Sequence, residues 1–313
     1  MNPASSPQTV LVAGGTGFLG AAIVRELAGH GYRVIVLSRR PRGVAARFPG
    51  LEVAARGGDV TDPSTLPAAL EDVDVVVQTV QFPGFPVEDP SRGRTFRDVD
   101  ARGTANIVAA GGEAGVRRIV YLSGVGADPD SDRPWFRAKA MAEAAVSGGE
   151  PAFTIVRPSW VYGPRDQSLN VFARILRLLP GVFPQLGPGD QRINPVWIGD
   201  LAAAVARTLE TPAAIGARFE LGGPITYTMD GIIQTLMDAM GQRKPIVHVP
   251  MGLLRVGAAV AELVPGQLFS RDALEFATGG AVAELASLRR VLPDLPLTPM
   301  PEALGRYSPG RSA

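Results

Sequence analysis

The chain of 313 residues has no cysteine and only two histidines. The first absence excludes disulfides, a thiolate nucleophile and cysteine-held metals. His30 and His248 stand far apart and beside no catalytic-looking motif, so no metal site is expected. An excess charge of one sign is also missing. With 31 basic and 30 acidic residues the formal charge is +1, which argues against nucleic acid or an anionic membrane as the main partner. No stretch approaches the ~20 uninterrupted apolar residues of a membrane span. The nearest, Met251 to Val264, carries Arg255 and Glu262 on one helical face. It reads as an amphipathic helix that packs on the core or offers a docking surface. Met1 to Gln8 lacks the basic and apolar regions of a signal peptide, so the expected location is cytoplasmic.

What is present starts with Val10-Leu11-Val12-Ala13-Gly14-Gly15-Thr16-Gly17-Phe18-Leu19-Gly20. A strand-like run breaks into glycines spaced G-x-x-G-x-x-G, and a helix-like run follows at once. Gly14 can take a dihedral that other residues avoid. Gly17 lets the backbone approach a pyrophosphate, and Gly20 lets the helix lie against the strand. The amides of the helix start then face the anion. An ordinary tight turn is the alternative, but strand, glycines and helix in this order favour a dinucleotide site.

The first half alternates the two patterns. Strands are predicted at Thr9–Ala13, Arg33–Leu37, Leu51–Ala55, Val73–Val80, Arg118–Leu122 and Phe153–Val156, with the nearly continuous apolar character of a parallel sheet covered on both faces. Helices are predicted at Phe18–Ala28, about Phe96–Ala114 and Pro134–Ser147. Together they predict an α/β fold, a doubly wound parallel sheet with right-handed crossovers. After Arg157 proline and glycine become frequent and helical patterns dominate, at about Ser168–Leu179, Asp200–Leu209, Met229–Met240, Gly252–Leu263 and Arg271–Phe276. We read residues 1–165, with about 195–222 returning to them, as the dinucleotide-binding domain. Residues 166–194 and 223–313 form a smaller, mainly helical substrate or interaction lobe.

Which dinucleotide is set by another absence. A carboxylate about 20 residues past the glycines normally bonds the ribose 2′-hydroxyl of NAD. Between Glu26 and Glu52 there is no acidic residue, but Ser38-Arg39-Arg40 and Arg42 are there. Guanidinium matches a phosphate in a bidentate way. NADP(H) is therefore favoured, with Arg39 the leading residue and Ser38 or Arg40 assisting; NAD(H) stays open. Asp59, with Val60, is placed at the adenine, because Asp62 before Pro63 fits a helix cap better.

Several further motifs fall in order along residues 9 to about 225: Gly58-Asp59-Val60-x-Asp62, Val99-Asp100-x-x-Gly103-Thr104, Val120-Tyr121-Leu122-Ser123, Lys139 with Glu143, Arg157-Pro158-Ser159-x-Val161-Tyr162-Gly163-Pro164, and Asn194-Pro195-Val196-x-x-x-Asp200. With the glycine run they resemble the short-chain dehydrogenase/reductase superfamily in its extended and atypical branches. The likeness extends to the group that holds the accessory subunit of respiratory complex I and bacterial epimerase/dehydratase-like proteins. The resemblance implies a Rossmann-type sheet. It places Thr16, Phe18, Leu19, Thr79, Val80, Pro158 and Val161 at the coenzyme with the glycines. Its catalytic set is a Ser, a Tyr and a Lys, the last two spaced Y-x-x-x-K. Ser123 and Lys139 match, and Lys139 would also hold the ribose. The Tyr is replaced by Trp135, whose indole donates a hydrogen bond but does not relay a proton.

Three functions are compatible with this pattern. The first is an NADPH-dependent reductase of a small hydrophobic carbonyl or enone. Ser123 and Trp135 would hold the oxygen there, and the proton would come from Lys139, Tyr162 or water, although Tyr162 reads equally as a packing residue beside Pro164. The second is a non-catalytic NADP(H)-binding structural, sensing or assembly protein that docks on a partner or forms a homodimer. The third, a sugar-nucleotide epimerase or dehydratase, ranks last because it needs the missing Tyr. Phe82, Phe85, Trp135 and Trp160 are expected to line an apolar pocket, with Gln81 and Asn194 as polar anchors or as backbone ties.

Overall fold

The computed structural model describes residues 8–82, 84, 87–252 and 279–310. The predicted helices over Gly252–Leu263 and Arg271–Phe276, and Phe85, lie outside the described residues apart from Gly252. A seven-stranded parallel sheet organises the chain. Its first strands are β1 (Thr9–Ala13), β2 (Arg33–Ser38), β3 (Val53–Gly57), β4 (Val75–Gln78), β5 (Arg118–Leu122) and β6 (Ala152–Pro158). Short strands β7 (Val161–Tyr162), β8 (Phe183–Leu186), β9 (Arg192–Ile193) and β10 (Val196–Trp197) follow, and β11 (Ala217–Leu221) returns to the sheet beside β6. The order across the sheet is β3-β2-β1-β4-β5-β6-β11. The order reverses between β1 and β4, and in such sheets ligands bind beyond the strand ends at that crevice.

The unbroken apolar runs have a direct cause. Val10 and Val12 face one core cluster while Leu11 and Ala13 face another, and all four are fully buried. Both faces are covered, so period-two alternation has no polar side to show. The first cluster lies under α1 (Phe18–Gly29) and α6 (Ile198–Glu210). The second lies under α2 (Leu66–Leu70), α3 (Gly103–Glu113) and α4 (Pro134–Gly148), between which α5 (Leu169–Leu178) has no part.

One element differs from the sequence expectation in a way that matters. The helix predicted from Phe96 is not uniform. Phe96–Arg102 forms a wide π-helical turn ahead of α3, capped where the Thr95 hydroxyl accepts the Asp98 amide at 2.9 Å. Such turns insert one residue into the helical register. Val99, Asp100 and Ala101 are consequently buried in succession, which an α-helix with one apolar face would not do.

Beyond the sheet, α5, α7 (Met229–Ala239) and the helix Met300–Gly305 pack with the pairs β9 with β12 (Tyr227–Thr228) and β8 with β13 (Ile246–Val249). Asp200 on α6 ties in the distal chain, accepting from Thr298 N at 2.6 Å and Thr298 Oγ1 at 2.8 Å. Among the described residues no helix is long and apolar enough to cross a membrane.

Candidate coenzyme and catalytic site

The β1–α1 turn leaves no room for a side chain at Gly14 or Gly20. Gly14 has φ +82°, and a Cβ there would stand 2.6 Å from Thr79 Oγ1. A Cβ on Gly20 would meet the Gly14 carbonyl oxygen at 2.2 Å. Gly17 closes the turn through its amide to Gly14 O at 2.9 Å and stands as the exposed N-cap of α1, with no side chain capping the helix. The first-turn amides of Phe18, Leu19 and Gly20 have no intrahelical acceptor, and no acidic residue occupies that turn. Thr16 and Val80 are half-buried beside it. The Thr79 hydroxyl donates to Ala13 O at 2.8 Å, so it braces the strand end. Open amides around a surface that only glycine can form fit the diphosphate of a dinucleotide.

Arg39 and Arg40 are exposed where β2 ends, and the Ser38 hydroxyl shapes their turn by accepting the Arg40 amide at 3.1 Å. Asp62 caps the following turn, accepting from Ser64 N at 3.1 Å. Asp59 Oδ1 accepts from Thr61 N and Oγ1 at 2.9 and 2.8 Å, which leaves Oδ2 outside these bonds. Val60 is buried, and its carbonyl accepts from Asn106 Nδ2 at 2.8 Å.

The other half of the site is built from buried charge. Ser123 follows β5, and its hydroxyl donates to Glu143 Oε1 at 2.5 Å. Glu143 on α4 also accepts both forks of Arg157, at 2.7 Å each, and lies 3.1 Å from Arg218 Nε. These bonds raise the Arg157 pKa above its ordinary value. One turn earlier on α4, Lys139 is buried with Nζ 3.4 Å from Leu122 O and 3.4 Å from Asp100 Oδ1. Burial pushes the Asp100 carboxyl up to about 6, although Lys139 and the Phe82 amide pull the other way. A further turn back, the Trp135 indole lies on the backbone of Gly124, where a Cβ would come 2.4 Å from the ring. Its neighbour Phe136 meets it edge-on at 4.9 Å. The structure thus brings Ser123, Trp135 and Lys139 to one place.

Tyr162 is not brought there. It is fully buried on β7, which pairs with β10 and turns the ring toward Trp197, 5.7 Å away. Desolvation drives its pKa well above the ordinary value. It is a packing residue in that core, which is the second of the two roles its motif leaves open, and not a proton donor at Ser123. Several expected pocket residues are likewise spent on packing. Phe82 is 2% exposed and meets Phe96 edge-on at 4.8 Å. Trp160 packs on Phe172 at 6.2 Å. Asn194 is a backbone tie, with Nδ2 donating to Ala283 O at 3.0 Å and Oδ1 accepting the Ala283 amide at 2.8 Å. Gln81 is exposed. Pro158 is buried with its carbonyl accepting Val125 N at 3.1 Å, and Val161 is half-buried.

Asp100 and Arg157 are functional residues that their motifs contain without marking a role for them. The signal that could have singled out Asp100 is a carboxylate between Val99 and Ala101 in a helix otherwise apolar on that side.

Residues 10–222 match the model of the NAD dependent epimerase/dehydratase family. The chain belongs to this family. It is 29% identical over 254 residues to NADH dehydrogenase [ubiquinone] 1 alpha subcomplex subunit 9, mitochondrial, of Arabidopsis thaliana. That alignment covers 79% of this chain and 62% of the plant protein, so the chain spans about three fifths of that relative's length. It is 30% identical to sterol demethylase protein B of Methylococcus capsulatus over 292 residues, covering 86% of this chain and 85% of that protein. It is also 30% identical to a 3 beta-hydroxysteroid dehydrogenase/Delta 5-->4-isomerase of Mycobacterium tuberculosis, covering 77% and 71% of the two chains. Among solved structures, the UDP-glucose 4-epimerase of Thermus thermophilus in complex with NAD has a TM-score of 0.70 at 21% identity, over 95% of this chain and 97% of that one. This last likeness establishes the Rossmann-type fold.

Proposed function

We propose that this family member binds NADP(H) and reduces the carbonyl or enone of a small hydrophobic molecule, with Lys139 in place of the missing tyrosine as the group that carries the proton. The observation behind this reading is the Lys139 ammonium, buried beside Ser123 and Trp135 with Tyr162 sealed elsewhere. The glycine turn and the open α1 amides would hold the diphosphate. Arg39, aided by Ser38 and Arg40, would hold the 2′-phosphate, and Asp59 the adenine. A bound nicotinamide supplies hydride chemistry.

The chain's own residues do the rest. An ammonium has three donors, and Asp100 and Leu122 O lie near two of them, leaving one for a ribose or substrate oxygen. Asp100 favours the charged lysine before the proton leaves and favours its reprotonation afterwards. Ser123 donates its hydroxyl hydrogen bond to Glu143 and so meets a ligand as an acceptor. Trp135 walls the Gly124 turn against water. The two relatives named for sterol and steroid chemistry support a hydrophobic, alicyclic substrate over a sugar.

The test is incubation with NADPH and a panel of aldehydes, alicyclic ketones and enones. Bleaching of the reduced nicotinamide that is lost in Lys139→Met, with NADPH still bound, is the expected result. A second reading, a coenzyme-holding protein that docks on a partner, is favoured by the Ser123–Glu143 bond, which removes the superfamily's usual donor to substrate oxygen. Tight NADPH retention with no turnover, and none regained in Trp135→Tyr, would establish it instead.

A further inference from the structure

The chain carries two lysines, Lys139 and Lys244, among its 31 basic residues. Elsewhere it uses arginine, which stays charged; lysine is compact and can release a proton. Lys139 faces a second unusual group. Asp100 is 1% exposed and is held rigidly from behind. Its carbonyl accepts the Thr104 hydroxyl at 2.6 Å, and that hydroxyl accepts Gln78 Nε2 from β4 at 3.0 Å. The π-helical turn is what carries this carboxylate inward, to 3.4 Å from Lys139 Nζ. An ion pair this deep is often no more stabilising than two apolar side chains, so stability alone does not account for it. Among the described residues, it is also faced by the Tyr121 ring from β5, 5.4 Å from Lys139 Nζ, the Phe82 amide, and Glu88 from the loop before the turn.

We infer that Asp100 is a positioning residue, whose buried carboxylate keeps Lys139 charged at the coenzyme ribose and so sets the pH range in which coenzyme docks firmly. This rests on the coenzyme half of the reading above and not on the reduction. Burial by itself disfavours an ammonium, and the amine that would result is a weaker donor to ribose hydroxyls. Replacing Asp100 by its neutral isostere keeps the shape and removes the counter-charge. The lysine then loses its proton at lower pH, and coenzyme binding weakens in the alkaline range first.

The two lysines make this directly measurable. In coenzyme-free protein labelled at lysine, the side-chain resonances are two, and Lys244→Arg assigns them. In Asp100→Asn the Lys139 midpoint is expected to fall by about one pH unit or more, a tenfold change in proton affinity, while Lys244 stays put. Asp100→Glu, which keeps the charge, restores the midpoint. Calorimetry with NADPH should show Asp100→Asn close to wild type near pH 6 and progressively weaker than wild type as pH rises into the alkaline range. An unmoved Lys139 midpoint, or an equal loss of affinity across that range, overturns the inference, since a merely structural carboxylate would act uniformly. If Asp100→Asn does not fold, Asp100→Ser carries the same comparison. Should neither nicotinamide coenzyme bind at all, the coenzyme reading fails, and the lysine titration still decides whether Asp100 holds that charge.

Discussion

The β1–α1 turn and the inner face of α4 address one ligand by opposite means. The turn is backbone: glycines with no space for a Cβ and amides with no internal acceptor. The α4 face is side chain: Ser123, Glu143, Arg157 and Arg218 in one network, Lys139 and Asp100 in another, with all but the two arginines withdrawn from water. A backbone site depends on shape and tolerates no added atom. A buried-charge site depends on partners and tolerates no missing one.

That contrast orders the expected effects. Gly20→Ala should lower NADPH affinity about a hundredfold, or on the order of 3 kcal/mol, because the methyl meets a carbonyl oxygen that cannot retreat. Unchanged binding would show a turn softer than its geometry. Glu143→Ala strands the partly buried Arg157 and the buried Ser123 hydroxyl, while the half-exposed Arg218 turns to water, and should cost about 2–3 kcal/mol in urea denaturation. A loss near zero would mean the α4 face is solvated and the contrast false.

The third effect is a pH ramp. Asp100 has its folded-state pKa raised from 3.8 to about 6. The folded state therefore holds this proton more tightly than the unfolded chain. Its contribution is full below about pH 4 and is lost as pH rises toward 6, on the order of 2–3 kcal/mol. Stability measured at the two ends should fall with rising pH in the wild type, and the fall should be shallower in Asp100→Asn. The smallest effect belongs to the coenzyme's outer end. Arg39→Ala should weaken NADPH about tenfold and leave NADH nearly unchanged. Equal effects on both would place the guanidinium away from the 2′-phosphate.

The same contrast explains what was legible in the sequence. The sheet was readable because a strand buried on both faces is written as consecutive branched residues, as at Val10–Val12 and Val34–Val36. The glycine spacing disclosed its turn because no other residue type can replace it there. Predicted strand limits matched at β1 and β5, and missed by two residues at β3, where flanking charges blur the pattern. The side-chain site was readable only in part. Trp135 and Lys139 fall together because one turn of α4 sets their spacing, and Ser123 joins them from the end of β5, which packs against that helix. The wide turn at Phe96–Arg102 has no signature in periodicity, so Asp100 looked like a motif letter and its contact with Lys139 was hidden. The motif of Tyr162 left catalysis and packing equally open, and the pairing of β7 with β10, a contact 35 residues apart in register from Val161 to Val196, decides for packing. Phe82 was misjudged as a pocket residue for the same reason, and of the two roles open to Asn194 the backbone tie holds: their partners, Phe96 and Ala283, lie outside any local window.

The most direct test of the account is calorimetric titration of the purified protein with NADPH and with NADH under identical conditions. Saturable binding of both, with NADPH tighter by about tenfold or more, is the predicted result. No heat of association with either coenzyme would contradict the reading of the amino-terminal turn, and with it the function proposed for the chain.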